Sequence, residues 1–254
     1  MNDATEAKIT DFAETLRASD TAVILTGAGV STASGIPSFR GEDGLWSEFD
    51  PKAFHRRRLD ADPEGFWADR IDLRERIYGG DEAAIGPNIA HEAIADLESG
   101  GFVDAVLTQN IDGLHQQAGS DRVIELHGSH RQVACDDCGK REAAEAAFDR
   151  AADGELPPRC DCGGVLRPDV VLFGESLPDD AIATANRLAH RADCFLAVGS
   201  SLTVHPAAGL PVRATRSDAT LGIVNLEPTE KDDVADIVLT GDVTAVLPAI
   251  EERL

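Results

Sequence analysis

Apolar and polar positions alternate in blocks along this chain, as they do in proteins built from strands and helices in turn. Apolar residues recur at helical spacing before residue 19, which predicts an amphipathic helix over residues 4–18. The apolar run at residues 22–25 predicts a buried strand, and it stops at the glycine-rich turn 27–29. We expect a helix to start near Ser31, where its free N–H groups would face a phosphate.

The same alternation continues to the C-terminus and predicts a parallel sheet, because strands and helices follow each other in turn. Helices are predicted at 89–97, 179–191 and near 206–212, and strands at 103–107, 122–126, 170–173, 195–198, 221–225 and 237–239, before a C-terminal helix. Ligands of such sheets bind outside the carboxyl ends of the strands. Polar or glycine-rich residues follow five strands there: Gly27, Ala28 and Gly29; Gln109, Asn110 and Asp112; His127; Gly199, Ser200 and Ser201; and Asn225.

Two segments interrupt this rhythm. Residues 41–85 are expected to form a mobile loop and a few short helices, and the basic run 56–58 within them is interpreted as a solvated face. The segment 129–169 contains four cysteines in one short window, Cys135, Cys138, Cys160 and Cys162. Two thiolate pairs at this spacing predict a closed, structural zinc site, although one intervening residue in the second pair is fewer than usual. Free thiols or a labile redox pair are the alternatives.

The charge balance excludes some partners. The 254 residues, enough for one catalytic unit, include 46 acidic and 23 basic residues, for a formal net charge of -23. Such an acidic surface disfavours nucleic acid and anionic membranes and is similar to that of proteins from salt-loving organisms. Without a membrane-length apolar run or a leader-like N-terminus, we expect a cytoplasmic protein. Cys194, alone in an apolar run, is interpreted as a small buried hydrophobic residue.

The order of these motifs resembles the sirtuin family. The resemblance rests on GAGVS at 27–31, GIPSFR at 35–40, TQNID at 108–112, HG at 127–128, the cysteine window, FGE at 173–175 and GSSL at 199–202. It implies an NAD-dependent protein-lysine deacetylase, which cleaves nicotinamide from NAD and transfers the acyl group from lysine to ADP-ribose. It also implies an α/β fold: a Rossmann-like parallel sheet with helices on both faces, a small zinc-binding domain and a helical insertion.

The resemblance also implies a division of the chain and roles for its residues. The large domain would comprise 1–40, 86–130 and 170–254, the helical cofactor-loop module 41–85, and the zinc module 131–169. NAD would contact Gly27, Ala28, Gly29, Ser31, Phe39, Arg40, Gln109, Asn110, Asp112, Gly199, Ser200, Ser201, Asn225 and Val243. The acyl-lysine substrate would pair with Val170, Val171, Phe173, Gly174 and Glu175. His127 would be the general base, while Asn110 and Asp112 would hold the nicotinamide amide and ribose.

Two departures from the family pattern concern the acyl group. Ser38 stands where many family members carry Asp, and the Tyr-x-x-Arg pair of members that remove acidic acyl groups is replaced by Arg70 and Leu73. The missing arginine favours neutral groups such as acetyl. A desuccinylase-type deacylase, a mono-ADP-ribosyltransferase and a non-catalytic NAD-binding regulator are the alternatives. Acyl-lysine proteins are the expected partners, and the oligomeric state stays open, a monomer included.

Overall fold

The computed structural model describes residues 3–39, 44–79 and 85–254, and its main layer is a parallel sheet. Within those ranges the sheet has six strands in the order β3-β2-β1-β7-β8-β9. They are β1 (Ala22–Thr26), β2 (Ala105–Thr108), β3 (Val123–Glu125), β7 (Cys194–Val198), β8 (Thr220–Asn225) and β9 (Ile237–Thr240). Thr26 pairs with Thr108 on one side and Val198 on the other, so three carboxyl ends lie level. The strand order reverses between β1 and β7, where sheets of this kind form a ligand crevice.

Helices cover both faces of this sheet because successive strand residues point to opposite sides. The helices are α1 (Asp3–Ala18), α2 (Leu45–Glu48), α3 (Arg56–Ala61), α4 (Pro63–Tyr78), α5 (Ile89–Ser99), α6 (Leu114–Ala118), α7 (Ala144–Ala152), α8 (Asp179–Arg191), α9 (Leu210–Thr215) and α10 (Val243–Glu251). Ile24 packs in one core with residues of α1, α5 and α10, whereas Val23 and Leu25 pack in a second with residues of α8 and α9. The predicted parallel sheet with helices on both faces is confirmed.

A second, smaller sheet carries the cysteines. Its strands β4 (Gly128–Cys135), β5 (Arg141–Ala143) and β6 (Leu166–Val170) pair antiparallel in the order β5-β4-β6. Trp67 of α4 packs edge-on against Phe148 of α7, and its Nε1 donates to the Leu166 carbonyl at 2.8 Å. The small sheet therefore shares its core with the helical segment. The division into three modules stays a prediction, and β4 runs across its boundary at residues 130 and 131.

The helix expected near Ser31 is absent from the described structure. Two 3-10 turns, Ala28–Val30 and Thr32–Ser34, take its place. The second turn ends at Gly35, whose φ of +90° is left-handed, and the proline at position 37 disfavours helical backbone in the residue before it. The prediction of an α-helix dipole at this position was therefore wrong.

Two other expectations, the strand at 170–173 and the solvated basic run at 56–58, are corrected by the structure. The predicted strand 170–173 instead ends at Val170 and belongs to the small sheet. Beyond it, Val171 N donates to His127 O at 2.9 Å, and Phe173 makes only an isolated bridge to His55. The side chain of Arg56, predicted to be solvated, is 31% exposed and makes ion pairs with Asp136 and Glu175 outside its own helix. Glycine at position 174, with φ +86°, turns the chain away from a continued strand.

The remaining buried thiol agrees with its sequence interpretation. Cys194 lies in β7 with no accessible surface, and burial raises the pKa of its thiol to about 12. Among the described helices, none is both long enough and apolar enough to cross a bilayer.

Candidate functional site

Two glycine turns interlock at the reversal point of the sheet, and we call residues 27–29 and 199–201 the glycine wall. Gly29 N donates to Gly199 O at 2.8 Å, and Gly27 N donates to the last carbonyl of β7 at 3.0 Å. A Cβ on Gly199, whose φ is +59°, would lie 2.6 Å from Val30 N. Glycine is therefore required first by contact between the two turns, and not only by a ligand as the sequence interpretation had it.

A cavity of about 1310 Å³ opens beside the glycine wall. Of the residues predicted to bind, those that line it are Gly27, Ala28, Gly29, Phe39, Gln109, Asn110, His127, Val170, Val171, Phe173, Gly174, Glu175, Gly199, Ser200, Ser201, Asn225 and Val243. The carboxyl ends of five strands thus meet around one cavity. Ser31 and Asp112 do not line it, and Arg40 lies outside the described residues.

Ser31 is the centre of a buried polar network behind Asn110. Its Oγ donates to Asp112 Oδ2 at 2.7 Å and accepts from Asn110 Nδ2 at 3.1 Å. Asn110 Nδ2 also reaches Gly27 O at 3.1 Å, and Asp112 Oδ1 accepts from Leu114 N at 2.9 Å. The network fixes the orientation of the Asn110 amide at the cavity. Asp112 opens instead on a separate recess of about 40 Å³ beside Tyr78, His130 and Ile36.

Two histidines extend this network into the core. The rings of His91 and His115 lie 4.9 Å apart, edge to face, and both side chains are essentially inaccessible to water. Burial lowers the pKa of His91 to about 4, partly offset by Asp112, and burial together with His91 lowers the pKa of His115 to about 3. Both rings are therefore neutral near pH 7. His91 Nδ1 accepts from the Asn88 N–H at 3.3 Å, which puts its proton on Nε2, toward Ser31 Oγ at 3.4 Å.

His127 lies at the cavity just beyond β3. Its Nδ1 is 3.0 Å from the Gln109 carbonyl oxygen, and its own carbonyl accepts from Val171 N at 2.9 Å. A carbonyl can only accept a hydrogen bond, so Nδ1 carries the proton of the neutral ring and the lone pair is on Nε2. This tautomer can act as a base through Nε2.

Residues 170–177, which we call the 170–177 wall, bound another part of the cavity. Phe173 is 38% exposed, and its ring lies edge-on to Trp46 at 5.5 Å. Its N–H donates to the Phe54 carbonyl at 3.2 Å, while the Glu175 carboxylate accepts from Leu172 N at 2.9 Å. The 170–177 wall is therefore hydrogen-bonded both to the segment that contains Phe54 and to its own acidic residue, Glu175.

The four predicted metal ligands converge at one point of the small sheet. The Sγ atoms of Cys135, Cys138, Cys160 and Cys162 all lie within 4.8 Å of one another. The Cys135 to Cys162 and Cys138 to Cys160 sulfur distances are 3.5 and 3.6 Å, close to the edge of about 3.8 Å expected for a tetrahedron with Zn–S bonds of about 2.3 Å. The single-residue gap in the second pair does not prevent this convergence. The four cysteines are positioned to bind one zinc ion, with no position left open for catalysis.

One face of α4 lines the cavity, and of this face the sequence pointed only to Arg70 and Leu73, at the positions of the family's Tyr-x-x-Arg pair. Arg70, Leu73, Arg74, Ile77 and Tyr78 occupy it. Their three- and four-residue spacing is that of one helix face, which the mixed polar and apolar composition obscured. The Arg70 guanidinium lies over the Phe54 ring at 5.9 Å, and its Nε is buried without a hydrogen-bond partner in the described ranges. Burial lowers the pKa of Arg70 to about 10, partly offset by Tyr78.

Comparison with known proteins gives a consistent result across sequence and structure. The sequence model of the Sir2 family matches residues 27–206. An NAD-dependent protein deacetylase of Haloarcula marismortui is 65% identical over 95% of this chain and 93% of its own. An NAD-dependent protein deacylase 2 of Archaeoglobus fulgidus is 43% identical over 98% of this chain and 97% of its own. A solved structure of Sir2 with a p53 peptide and NAD+ is 39% identical, with a TM-score of 0.86 over 95% of this chain and 96% of that one.

Proposed function

Because the chain belongs to the Sir2 family, we propose that it is an NAD-dependent protein-lysine deacetylase that cleaves nicotinamide from NAD and transfers the acyl group from lysine to ADP-ribose. The observation that carries the proposal is the single cavity shared by the glycine wall, His127 and the 170–177 wall. At about 1310 Å³ it exceeds the range of about 300–1,000 Å³ usual for one small ligand. It therefore has room for a dinucleotide and an acyl-lysine side chain together.

The residues at the strand ends suit NAD. The N–H groups of Ala28 and Ser200 have no partner elsewhere in the part of the chain that is described, and both residues line the cavity. Such groups can donate to phosphate oxygens. We assign the ribose and nicotinamide side to Phe39, Gln109 and Asn110, and the adenosine side to Ser201, Asn225 and Val243. Ser31 and Asp112 would act from behind by orienting Asn110.

When bound, NAD supplies an electrophilic ribose carbon with nicotinamide as its leaving group. Asn110, held by two hydrogen bonds, would fix the position of the nicotinamide ribose, so that little reorganisation is needed during the reaction. His127 would accept a proton from a ribose hydroxyl at Nε2, since the Gln109 carbonyl keeps the other proton on Nδ1. The 170–177 wall would bind the peptide backbone as an added strand and so tolerate many sequences.

The cysteine cluster and the acidic surface complete the proposal. Zinc would hold the small sheet together and take no part in the reaction, because four thiolates close its coordination shell. We propose that the protein works in the cytoplasm at high salt, where screening relieves the repulsion of a net charge of -23. The same charge makes nucleic acid an unfavourable partner.

One observation favours an acidic acyl group as a second candidate substrate. Arg70 presents a guanidinium at the cavity beside Phe54, without an ion pair among the described residues. A half-buried guanidinium that faces a cavity can bind a carboxylate, such as the one at the end of a succinyl chain. The sequence had favoured neutral groups because Leu73 replaces the family's arginine, so the two observations point in opposite directions.

Parallel assays with acetyl- and succinyl-lysine peptides test both candidates. Purified protein with NAD in high salt should release nicotinamide and the free-lysine peptide, and Arg70→Met should reduce succinyl turnover more than acetyl turnover if Arg70 binds the carboxylate. Release with none of the acyl peptides would contradict deacylation. Label from NAD on protein would instead support ADP-ribosyl transfer.

His127→Ala should abolish turnover and leave NAD binding intact, because the substitution removes the base but no phosphate contact. NAD binding can be followed by calorimetry. His190→Gln is the matched control, because His190 is an exposed histidine whose ring hydrogen-bonds Ser217, away from the cavity. Turnover that survives in His127→Ala would show that the base is wrongly assigned.

A further inference from the structure

A chain of ion pairs connects the cysteine cluster to the 170–177 wall. Arg167 of β6 donates from both terminal nitrogens to the Glu175 carboxylate, at 2.8 and 3.2 Å. Arg167 Nη2 also donates to the Val170 carbonyl at 2.9 Å. Glu175 in turn accepts from Leu172 N at 2.9 Å. One carboxylate and one guanidinium thus hold both ends of the segment 170–175.

Arg56 of α3 joins the same segment from the other side. Its backbone N–H donates to the Phe173 carbonyl at 2.9 Å, and its side chain reaches Glu175 at 3.5 Å. The same guanidinium makes its shortest ion pair, 2.7 Å, with Asp136. The position of Arg56, and with it the Phe173 carbonyl, therefore depends on where Asp136 lies.

Asp136 stands inside the cysteine cluster, one residue after Cys135 and two before Cys138. Its Oδ1 is 3.8 Å from Arg167 Nη1, while Oδ2 binds Arg56. Asp136, like Glu175, therefore makes ion pairs with both arginines. When metal fixes the two cysteines, it also fixes the backbone that carries this carboxylate.

The energetics permit such a coupling. The side chains of Arg167 and Glu175 are only 15% and 19% exposed, so salt screens their ion pair less than it screens a surface pair. Removal of one partner also costs more stability, because the other charge is left half-buried without it. Arg56 and Arg167 both pair with Asp136 and Glu175, and Arg56 pairs in addition with a third carboxylate, Asp60, at 2.9 Å. Removing one carboxylate leaves each arginine with a less constrained position.

We propose that Asp136 is a positioning residue that transmits metal occupancy of the cysteine cluster to the 170–177 wall. With metal bound, Asp136 holds Arg56 and Arg167, and they hold the backbone that receives the acyl-lysine peptide. The identity of that ligand rests on the proposed function, whereas the coupling between cluster and wall does not. The glycine wall is outside this chain of contacts, so NAD binding should be independent of it.

The test compares Asp136→Asn with Asp137→Asn in the zinc-loaded protein. Asp137 lies equally close to the cysteines but makes no ion pair within the described ranges. We expect both variants to keep one zinc per chain. Hydrogen exchange of amides 171–175 should become roughly 10-fold faster in Asp136→Asn only, in line with the loss of one coupled contact. Chelation should accelerate the same amides in the wild type and add little in Asp136→Asn.

A second pair of variants avoids the metal site. Arg56→Gln breaks the chain of ion pairs at a residue outside the Cys135–Cys138 segment, and Arg57→Gln removes an exposed neighbour that forms no ion pair in the described structure. Arg56→Gln should accelerate exchange of the wall and raise the peptide KM several-fold, with kcat and NAD binding little changed, and Arg57→Gln should do neither.

Unchanged exchange in zinc-loaded Asp136→Asn and in Arg56→Gln would overturn the proposal, as would equal effects in both members of either pair. If Asp136→Asn lost its zinc, the Arg56 pair alone would decide. Faster exchange without any deacylation would support the coupling and contradict the proposed function. Deacylation together with unchanged exchange would support the proposed function and contradict the coupling.

Discussion

The glycine wall and the 170–177 wall enclose the same cavity but are held by different contacts. In the glycine wall, backbone touches backbone: Gly29 N reaches Gly199 O at 2.8 Å, and Cβ atoms have no room. In the 170–177 wall, backbone hydrogen bonds to His127, Phe54 and Arg56 are joined by side-chain contacts, since Glu175 and Arg167 also bind the backbone. The glycine wall thus depends on backbone contact alone, whereas the 170–177 wall depends in addition on charged side chains.

This difference suits the two proposed ligands. A dinucleotide has the same shape in every turnover, so a surface held by close backbone contacts and backed by a buried hydrogen-bond network suits it. Peptides vary in sequence, and a wall that binds backbone while its own position depends on ion pairs can accept many of them. Salt and metal should therefore act on the 170–177 wall and leave the glycine wall unaffected.

The largest predicted effect is that of Gly199→Ala. The left-handed backbone costs alanine about 1–2 kcal/mol, and the contact at 2.6 Å with Val30 N cannot relax without moving the turn. We expect a total loss of about 4 kcal/mol and a Tm lower by roughly 10 °C, with NAD binding lost. Calorimetry in constant salt measures both.

Gly79→Ala is the matched control for this prediction. Gly79 has φ +58°, nearly that of Gly199, but a Cβ there would meet nothing within 4 Å among the described residues. It should therefore carry only the cost of the left-handed conformation. Equal losses of stability in the two variants would show that the contact between the turns does not hold the glycine wall.

How far the sequence predicted these two walls depends on the kind of contact. The apolar runs and the glycines beside β1 and β7 predicted the sheet and the meeting of its strand ends, because burial and φ preferences are local properties. The sequence identified Ser31 as a site residue but not its position behind Asn110, because two 3-10 turns replace the expected helix. Arg56 was interpreted as solvated because its partners, Asp136 and Glu175, are distant in sequence.

The next effect in size concerns pH and the network behind the glycine wall. Burial lowers the pKa values of His91 and His115 to about 4 and about 3, below the usual value of about 6.5 for histidine. The unfolded chain therefore binds more protons as pH falls below about 6.5, and stability is lost from there down to about pH 4 for His91 and about pH 3 for His115. At about pH 5 the loss is about 2 kcal/mol for each histidine. Urea unfolding at several pH values in constant salt measures it.

His115→Gln tests this assignment through the change of the free energy of unfolding with pH, and not through its absolute value. The variant should lose less stability between about pH 7 and about pH 5 than the wild type, because one of the two titrating groups is gone. His190→Gln, in the exposed part of α8, should keep the wild-type slope. Parallel curves for His115→Gln and the wild type would contradict the assignment.

The smallest effect should come from Glu175→Gln, which keeps the shape of the 170–177 wall but removes the charge that binds Arg167 and Arg56. A loss of about 1 kcal/mol in the peptide-binding geometry corresponds to a roughly 5-fold higher peptide KM. NAD affinity should not change, because no contact of the glycine wall involves these charges.

Glu142→Gln is the control, because Glu142 of β5 is a similarly half-buried carboxylate that pairs with Arg150 of α7. If Glu175→Gln weakened NAD and peptide binding equally, the two walls would form one mechanical unit, and their separate sensitivity to salt and metal would not hold.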